Sequence, residues 1–114
     1  MRRCERAEMK PGSLVILGKR YEIEYVDRPS DVDMHRRQAL WGQVDYWTRT
    51  IRIYDHGRAL EDLWHTILHE VIHALADELK LRIGKPENHD ELDLLALGLA
   101  DVIFRNQLFR EPAQ

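Results

Sequence analysis

Three of the six histidines in this chain lie at four-residue intervals within one apolar segment, Leu63–Leu79, LWHTILHEVIHALADEL. His65, His69 and His73 therefore recur along one side of a helix, because an α-helix completes a turn every 3.6 residues. Imidazole is poor core material, and a solvated helix face ordinarily carries lysine or glutamate. This spacing indicates a chemical role such as metal ligation, since neutral imidazole is the commonest metal ligand in proteins.

The second and third of these histidines form an H-E-x-x-H pattern, His69–His73. Histidines at i and i+4 can direct two ring nitrogens onto one Zn²⁺ ion. Glu70 is rotated from His69 by about 100° around the helix axis. It would lie beside the metal, free to act as general base on the water that the metal activates. The pattern arises by chance in about 0.5% of chains this long, so a metal site is a better interpretation than a solvated histidine pair.

A catalytic zinc site needs a third protein ligand and one open position. We predict His89 as that ligand, because it precedes an apolar helical segment and histidine is a poor choice near the positive end of a helix dipole. Asp90, Glu91 and Asp93 are chemically acceptable alternatives. The acids also fit an ordinary helix start, where negative charge favours the dipole.

The other histidines carry less information. His65 lies one turn before His69, and we interpret it as a half-exposed residue without a ligand role, with a substrate-side or orienting contact as the alternative. His35 and His56 lie in expected loops and have no informative spacing.

Strands are predicted before the histidine-rich segment. Two runs around a tight turn at Gly18-Lys19 indicate a hairpin, and in the second run Tyr21, Ile23 and Tyr25 alternate with polar neighbours. Two further runs flank a bend near residues 47–49, with the apolar positions Val44, Tyr46, Ile51 and Ile53. Residues 30–41 fit a helical turn or a loop equally well.

Two amphipathic helices are predicted after these strands. The apolar period changes to 3.6 after Gly57, which indicates a helix from about Arg58 to Lys80. A loop containing Gly84 and Pro86 follows. The second helix should run from about His89 to Leu108, with an apolar face made of Leu92, Leu95, Leu99, Val102, Ile103 and Leu108. The fold class is therefore α+β, a small antiparallel sheet followed by two long helices.

Length and composition limit the possible classes of protein. A chain of 114 residues with 44% hydrophobic and 32% charged residues fits one globular domain, residues 13–114, after a flexible arm of residues 1–12. The net charge of −3 makes nucleic acid an unfavourable direct ligand. A single cysteine, Cys4, excludes an internal disulfide framework, and no apolar run is long enough to span a bilayer. We therefore expect a cytoplasmic protein, from a bacterium or a phage, that does not act at a membrane.

At the H-E-x-x-H segment and its flanks the chain resembles the zincin metallopeptidases, and most closely the minimal bacterial and phage proteins grouped as SprT-like and ImmA/IrrE-like. The resemblance extends from about Gly42 onward, over GQVDYWTRTIRIY, HTILHEVIHAL and HDELDLLALGLADVIFRN. It implies a zincin-like fold with zinc on His69 and His73. The third histidine of SprT-like proteins favours His89, although Asp90 stands here where that pattern has glycine. The acidic third ligand of ImmA/IrrE-like proteins favours one of the neighbouring acids.

The resemblance also implies a position for the substrate. In zincins the strand before the active helix pairs with an extended peptide, which would place Thr50–Tyr54 along the cleft by strand addition. An ordinary internal strand is the equally good alternative. The nearby aromatics Tyr46, Trp47 and Tyr54 are more typical of packing than of catalysis, and we predict no role for them.

The sequence thus predicts a small zinc-dependent metallopeptidase with His69, His73 and His89 as ligands and Glu70 as general base. Its substrate would be a protein or peptide, and target choice is expected to depend on a separate partner. The alternative from another class is a non-proteolytic interaction protein with a zincin-like fold and a structural or vestigial metal. Hydrolysis of a non-peptide amide at the same metal is a third, weaker alternative.

Overall fold

The protein is described by a computed structural model that covers residues 10–33 and 40–108. The predicted N-terminal arm lies outside the described residues except for residues 10–12, and residues 34–39 of the ambiguous segment 30–41 lie outside them as well. Residues 10–12 contact the sheet, since Gly12 accepts a hydrogen bond from the Ile23 N–H at 2.9 Å and Pro11 accepts one from the Tyr25 hydroxyl at 2.5 Å.

The first two strands form the predicted hairpin. Strand β1 (Ser13–Ile16) pairs antiparallel with β2 (Lys19–Val26). The turn consists of Leu17 and Gly18, both with positive φ, one residue earlier than the sequence suggested. Two consecutive residues with positive φ give the turn twist that suits a two-residue hairpin. Along β2 the buried positions alternate, with Tyr21 and Ile23 in the core.

The second hairpin joins β3 (Gly42–Asp45) to β4 (Thr50–Tyr54). The sheet order is β1-β2-β4-β3, and β2 runs parallel to β4. The sheet is therefore mixed, and the prediction of a purely antiparallel sheet was wrong for this central pair. The reason lies in apolar content: Ile51 and Ile53 are fully buried and place β4 inside the sheet, whereas every residue of β3 is only partly buried.

One helix packs against this sheet, and a second helix packs against the first. Helix α1 spans Leu60–Leu79 and ends at Lys80, which adopts the left-handed conformation. Helix α2 spans His89–Arg105 and ends about one turn before the predicted Leu108. Both predicted helices are confirmed, and the general α+β class is as predicted. Between α1 and the sheet lies the main core, which includes the fully buried Ile51, Ile53, Leu63 and Ile67.

The contact between the two helices differs from the predicted apolar face. Leu92 and Ala96 are fully buried and form a second small core with Ile72. Leu95 and Leu99, which were expected on the buried face, are 46% and 40% exposed. The buried stripe of α2 instead runs through Leu92 and two alanines, because small side chains let the helix axes approach closely.

Neither helix in the described ranges has the length and apolar content that crossing a lipid bilayer requires.

Candidate metal centre

Three imidazoles converge where the start of α2 meets the middle of α1. His69 and His73 project from consecutive turns of α1, and His89 is the first residue of α2. The two Nε2 atoms of His69 and His73 lie 3.2 Å apart. The His89 ring centroid lies 4.9 Å from that of His69 and 5.8 Å from that of His73. One ligand atom from each of the three side chains lies within 4.8 Å of the others, so the cluster could hold a metal ion.

The His89 position follows from helix packing. Leu92 is one turn after His89 and is fully buried against α1. This contact fixes the start of α2 beside the histidines of α1. Asp90 and Glu91 are exposed and are not part of the described cluster. The chain therefore brings His89 to the H-E-x-x-H pair and leaves these two acids outside.

Asp93 determines which nitrogen of His69 faces the cluster. Its Oδ1 atom lies 2.8 Å from His69 Nδ1 and 3.0 Å from His65 Nε2. An ionised carboxylate can only accept hydrogen bonds. His69 must therefore carry its proton on Nδ1, and the lone pair of Nε2 is left directed at His73 and the cluster. Partial burial acts to raise the pKa of Asp93, but the hydrogen bond and charges of its histidine partners lower it below its usual value.

The pKa values of His69 and His73 are both lowered, which favours the neutral imidazole that ligates metals. Burial lowers the pKa of His69, although the hydrogen bond to Asp93 opposes this effect. Burial and the neighbouring imidazoles lower the pKa of His73 to about 4. Both rings thus offer lone pairs near neutral pH.

Glu70 is buried between α1 and the edge strand β3. Only 6% of it is exposed, and one carboxylate oxygen lies 4.0 Å from His69 Nε2. Burial raises the pKa of Glu70 to about 8, against a hydrogen bond from the Val44 backbone N–H that lowers it. Gly42 makes this packing possible, because a Cβ there would lie 2.6 Å from Thr66 Cγ2 and 3.2 Å from Glu70 Cγ.

The cluster opens into a cleft of about 660 Å³. The helices line this cleft with His69, Glu70, His89 and Asp93, and the segments around the start of β3 and before α1 line it with Leu40, Trp41, Gly42 and Arg58. His73 lines a separate pocket. A carboxylate, imidazoles and an indole thus face one accessible space.

Arg58 braces the wall of this cleft. Its guanidinium donates to the Tyr54 carbonyl at 2.8 Å, to the Asp62 carbonyl at 2.9 Å and to Thr66 Oγ1 at 2.7 Å. It also lies 4.6 Å from the centroid of the Trp41 ring. Arg58 thereby connects the end of β4 and the first turns of α1 to Trp41.

The strand beside the cleft is β3 rather than β4. β4 is paired on both sides, by β2 and by β3. Of the two alternatives for Thr50–Tyr54, the ordinary internal strand is confirmed, and strand addition is wrong because an internal strand has no free backbone edge. The Tyr54 N–H of β4 donates to the carbonyl of Trp41, the residue before β3, at 2.9 Å. Since hydrogen-bonded pairs alternate along an antiparallel ladder, the backbone groups of Gly42 and Val44 point away from β4.

The remaining sequence candidates have modest roles in this geometry. His65 contacts Asp93 and lines the cleft, as its orienting alternative required. His35 lies outside the described residues. The Tyr46 hydroxyl lies 3.3 Å from the His73 carbonyl, Tyr54 packs on Trp41, and Trp47 is 94% exposed.

Sequence reasoning missed three contributors to the site: Trp41, Gly42 and Arg58. Their spacing gives no signal, because each reaches the cleft through tertiary packing. Asp93 was considered only as an alternative ligand. Its contact with His69 could have been anticipated, since it lies four residues after His89 and thus on the same side of α2.

Comparison with protein-family models, with curated proteins and with solved structures finds no match to this chain.

Proposed function

We propose that the protein is a small zinc-dependent metallopeptidase in which His69, His73 and His89 hold Zn²⁺ and Glu70 is the general base. One observation carries the proposal: three imidazoles converge beside a buried carboxylate at the side of an open cleft. A purely structural metal site has no use for that carboxylate. The zincin resemblance of the H-E-x-x-H segment supports the same reaction class.

The donor set suits zinc. Nitrogens bound at about 2.0–2.1 Å to a tetrahedral ion lie about 3.3 Å apart, and the Nε2 atoms of His69 and His73 lie 3.2 Å apart. The carboxylate behind His69 is the orienting partner that metal-bound histidines usually have. The ligand atoms of the three histidines lie at most 4.8 Å apart, which exceeds the tetrahedral spacing by at most ~1.5 Å. His89 is exposed, so its ring can move by this distance.

When bound, zinc would polarise the scissile carbonyl and make water nucleophilic at neutral pH. The chain supplies the proton transfers. A Glu70 carboxylate oxygen would accept a proton as the water oxygen bonds to the carbonyl carbon. The same oxygen would then deliver the proton to the departing amine as the carbon–nitrogen bond breaks. A neighbouring divalent cation favours the ionised form of Glu70 that this step requires.

The edge of β3 offers a place for an extended peptide. Gly42 lines the cleft, and its backbone N–H and C=O point away from β4, towards the open side of the strand. A substrate that added to this edge would pass alongside the histidine cluster. We therefore assign peptide binding to β3 rather than to β4.

The substrate class that follows is a protein or peptide in extended form. A separate targeting protein remains part of this proposal. The net charge of −3 supports neither direct nucleic-acid binding nor an electrostatic membrane contact.

The test has two measurements. Elemental analysis of protein purified without a metal-affinity tag should find roughly one zinc per chain. Incubation with a proteome-derived peptide library, read by mass spectrometry, should show zinc-dependent cleavage. Glu70→Gln should keep the zinc and lose about 10²- to 10⁴-fold in rate. Glu61→Gln, the same change at an exposed position of α1, should behave as wild type.

The outcomes separate the candidate functions. Zinc-loaded protein that cleaves no peptide in the library would favour the non-proteolytic interaction protein with a structural metal. Folded protein that does not bind added zinc would overturn the proposed metal site itself. Equal cleavage by wild type and Glu70→Gln would remove the catalytic role of that carboxylate.

A further inference from the structure

The outer surface of α2 is unusually apolar for a helix at the surface of the described fold. Leu94 is 65% exposed and Val102 is 50% exposed, and Leu95 lies between them along the same side. A helix that is apolar around most of its circumference is normally covered on more than one side. Contiguous exposed apolar surface of this kind marks an interaction site.

Gly98 lies at the centre of this surface. It stands in the interior of α2, and a Cβ added there would meet nothing within 4 Å. Glycine inside a helix is destabilising by about 0.5–1 kcal/mol relative to alanine. No contact of the described chain requires glycine at this position. A second helix packed at this point would require it, because the missing side chain lets two backbones approach closely.

Two residues of opposite charge lie at equal distances on either side of Gly98. Glu91 lies seven residues before Gly98 and Arg105 lies seven residues after it. Seven residues are close to two helical turns, so both side chains lie on the Gly98 side of α2. Both are exposed. The apolar residues between them follow the same symmetry, with Leu94 four before and Val102 four after.

We propose that α2 pairs with α2 of a second copy of this chain, antiparallel and crossing at Gly98. In this arrangement Glu91 of each copy faces the other copy's Arg105, and Leu94 faces Val102. A two-fold interface of this kind is self-complementary, as the symmetry of the helix surface requires. A shallow crossing of about 20° keeps the ends of the two helices within reach of these long side chains.

Two features make the pairing compatible with the rest of the molecule. His89 is nine residues before Gly98, which places the two on opposite sides of α2 at 100° per residue. The pairing therefore leaves the cleft side of the helix free. Arg105 contacts Asp101 at 3.0 Å within α2, but this pair is largely exposed and such pairs contribute little. Arg105 can thus bind the partner's Glu91. The inference does not depend on the proposed peptidase activity.

Sedimentation equilibrium of the full chain tests the proposal. The wild type should be a dimer at micromolar concentrations. Gly98→Gln should be monomeric, because its side chain blocks the crossing. Glutamine is the better helix former, so circular dichroism should show that the monomer keeps its helices. A monomeric wild type, or a dimer unaffected by Gly98→Gln, would overturn the proposal.

A charge exchange fixes the antiparallel register. Glu91→Arg alone or Arg105→Glu alone should weaken dimerisation about 2- to 30-fold, because each occurs twice in the dimer. The double variant should recover most of the wild-type affinity. Asp77→Arg, an equal charge reversal on α1, should have no effect. A double variant no better than the weaker single would show that these residues do not face each other.

Discussion

His69 Nδ1 lies 2.8 Å from the carboxylate of Asp93, and this contact directs the opposite nitrogen of the ring towards His73 and His89. The two residues come from different helices. Asp93 therefore links the orientation of a candidate ligand on α1 to the packing of α2. Buried Leu92 beside it holds α2 in the position that this link needs.

The first prediction concerns this link. Asp93→Asn should weaken zinc binding about 10- to 100-fold, because a neutral amide orients the imidazole less firmly and makes it less basic. Competition against a chromogenic chelator measures the affinity. Asp101→Asn, the same change at the exposed pair with Arg105, is the control. Equal affinities in the two variants would contradict the orienting role, and a loss as large as that of His73→Ala would make Asp93 a ligand.

The second prediction ranks the candidates for the third ligand. His89→Ala should reduce zinc affinity by more than the about 100-fold expected for an orienting partner. Asp90→Ala and Glu91→Ala should bind zinc nearly as wild type does, since both side chains are exposed and outside the cluster. The same chelator competition ranks the three variants. A large loss for Glu91→Ala with normal binding by His89→Ala would indicate a site of the His-His-acid type.

Helix α1 and the convergence of His89 with its histidines could be predicted because both depend on local periodicity. The 3.6-residue repeat of α1 fixes which side carries His69 and His73. Leu92 then brings the start of α2 against that side. The contact of Asp93 with His69 was not predicted, because Asp93 was considered only as an alternative ligand.

The predictions of a purely antiparallel sheet and of the buried face of α2 were wrong because the sequence offers several equivalent packing partners there. The order of strands depends on whether β3 or β4 pairs with β2, and the choice rests on the burial of Ile51 and Ile53 rather than on any turn signal. Helix α2 has apolar residues on most of its circumference, so its pattern does not distinguish Leu95 from Ala96 as the buried one. Close packing against Ile72 selects the alanine.

The third prediction concerns the contact between β3 and α1. Gly42→Ala should lower the free energy of unfolding by about 1–3 kcal/mol, because its Cβ would overlap Thr66 and press on Glu70. Urea denaturation measures the change. At Gly12 a Cβ would meet nothing within 4 Å, so Gly12→Ala should be neutral or slightly stabilising. Similar stabilities for the two variants would mean that β3 moves away from α1 without penalty.

The fourth prediction couples the metal to the fold. The three histidines join α1 to α2, so zinc should bind the folded chain far better than the unfolded one. At free zinc of about 1,000 times the dissociation constant the gain in stability is about 4 kcal/mol. In a domain of this size that corresponds to a rise in Tm of more than about 10 °C. Thermal unfolding in zinc buffers, followed by circular dichroism, measures the rise, and a chelator should reverse it.

Two variants make this measurement specific. His73→Ala should lose the zinc-dependent rise, because it removes a ligand. Glu70→Gln should keep the full rise, because the carboxylate acts on protons and does not hold the ion. If Glu70→Gln lost the rise along with His73→Ala, Glu70 would be a ligand and the proposed division of roles would be wrong. A wild-type Tm that does not change with zinc concentration would show that the three imidazoles lie close together without forming a metal site.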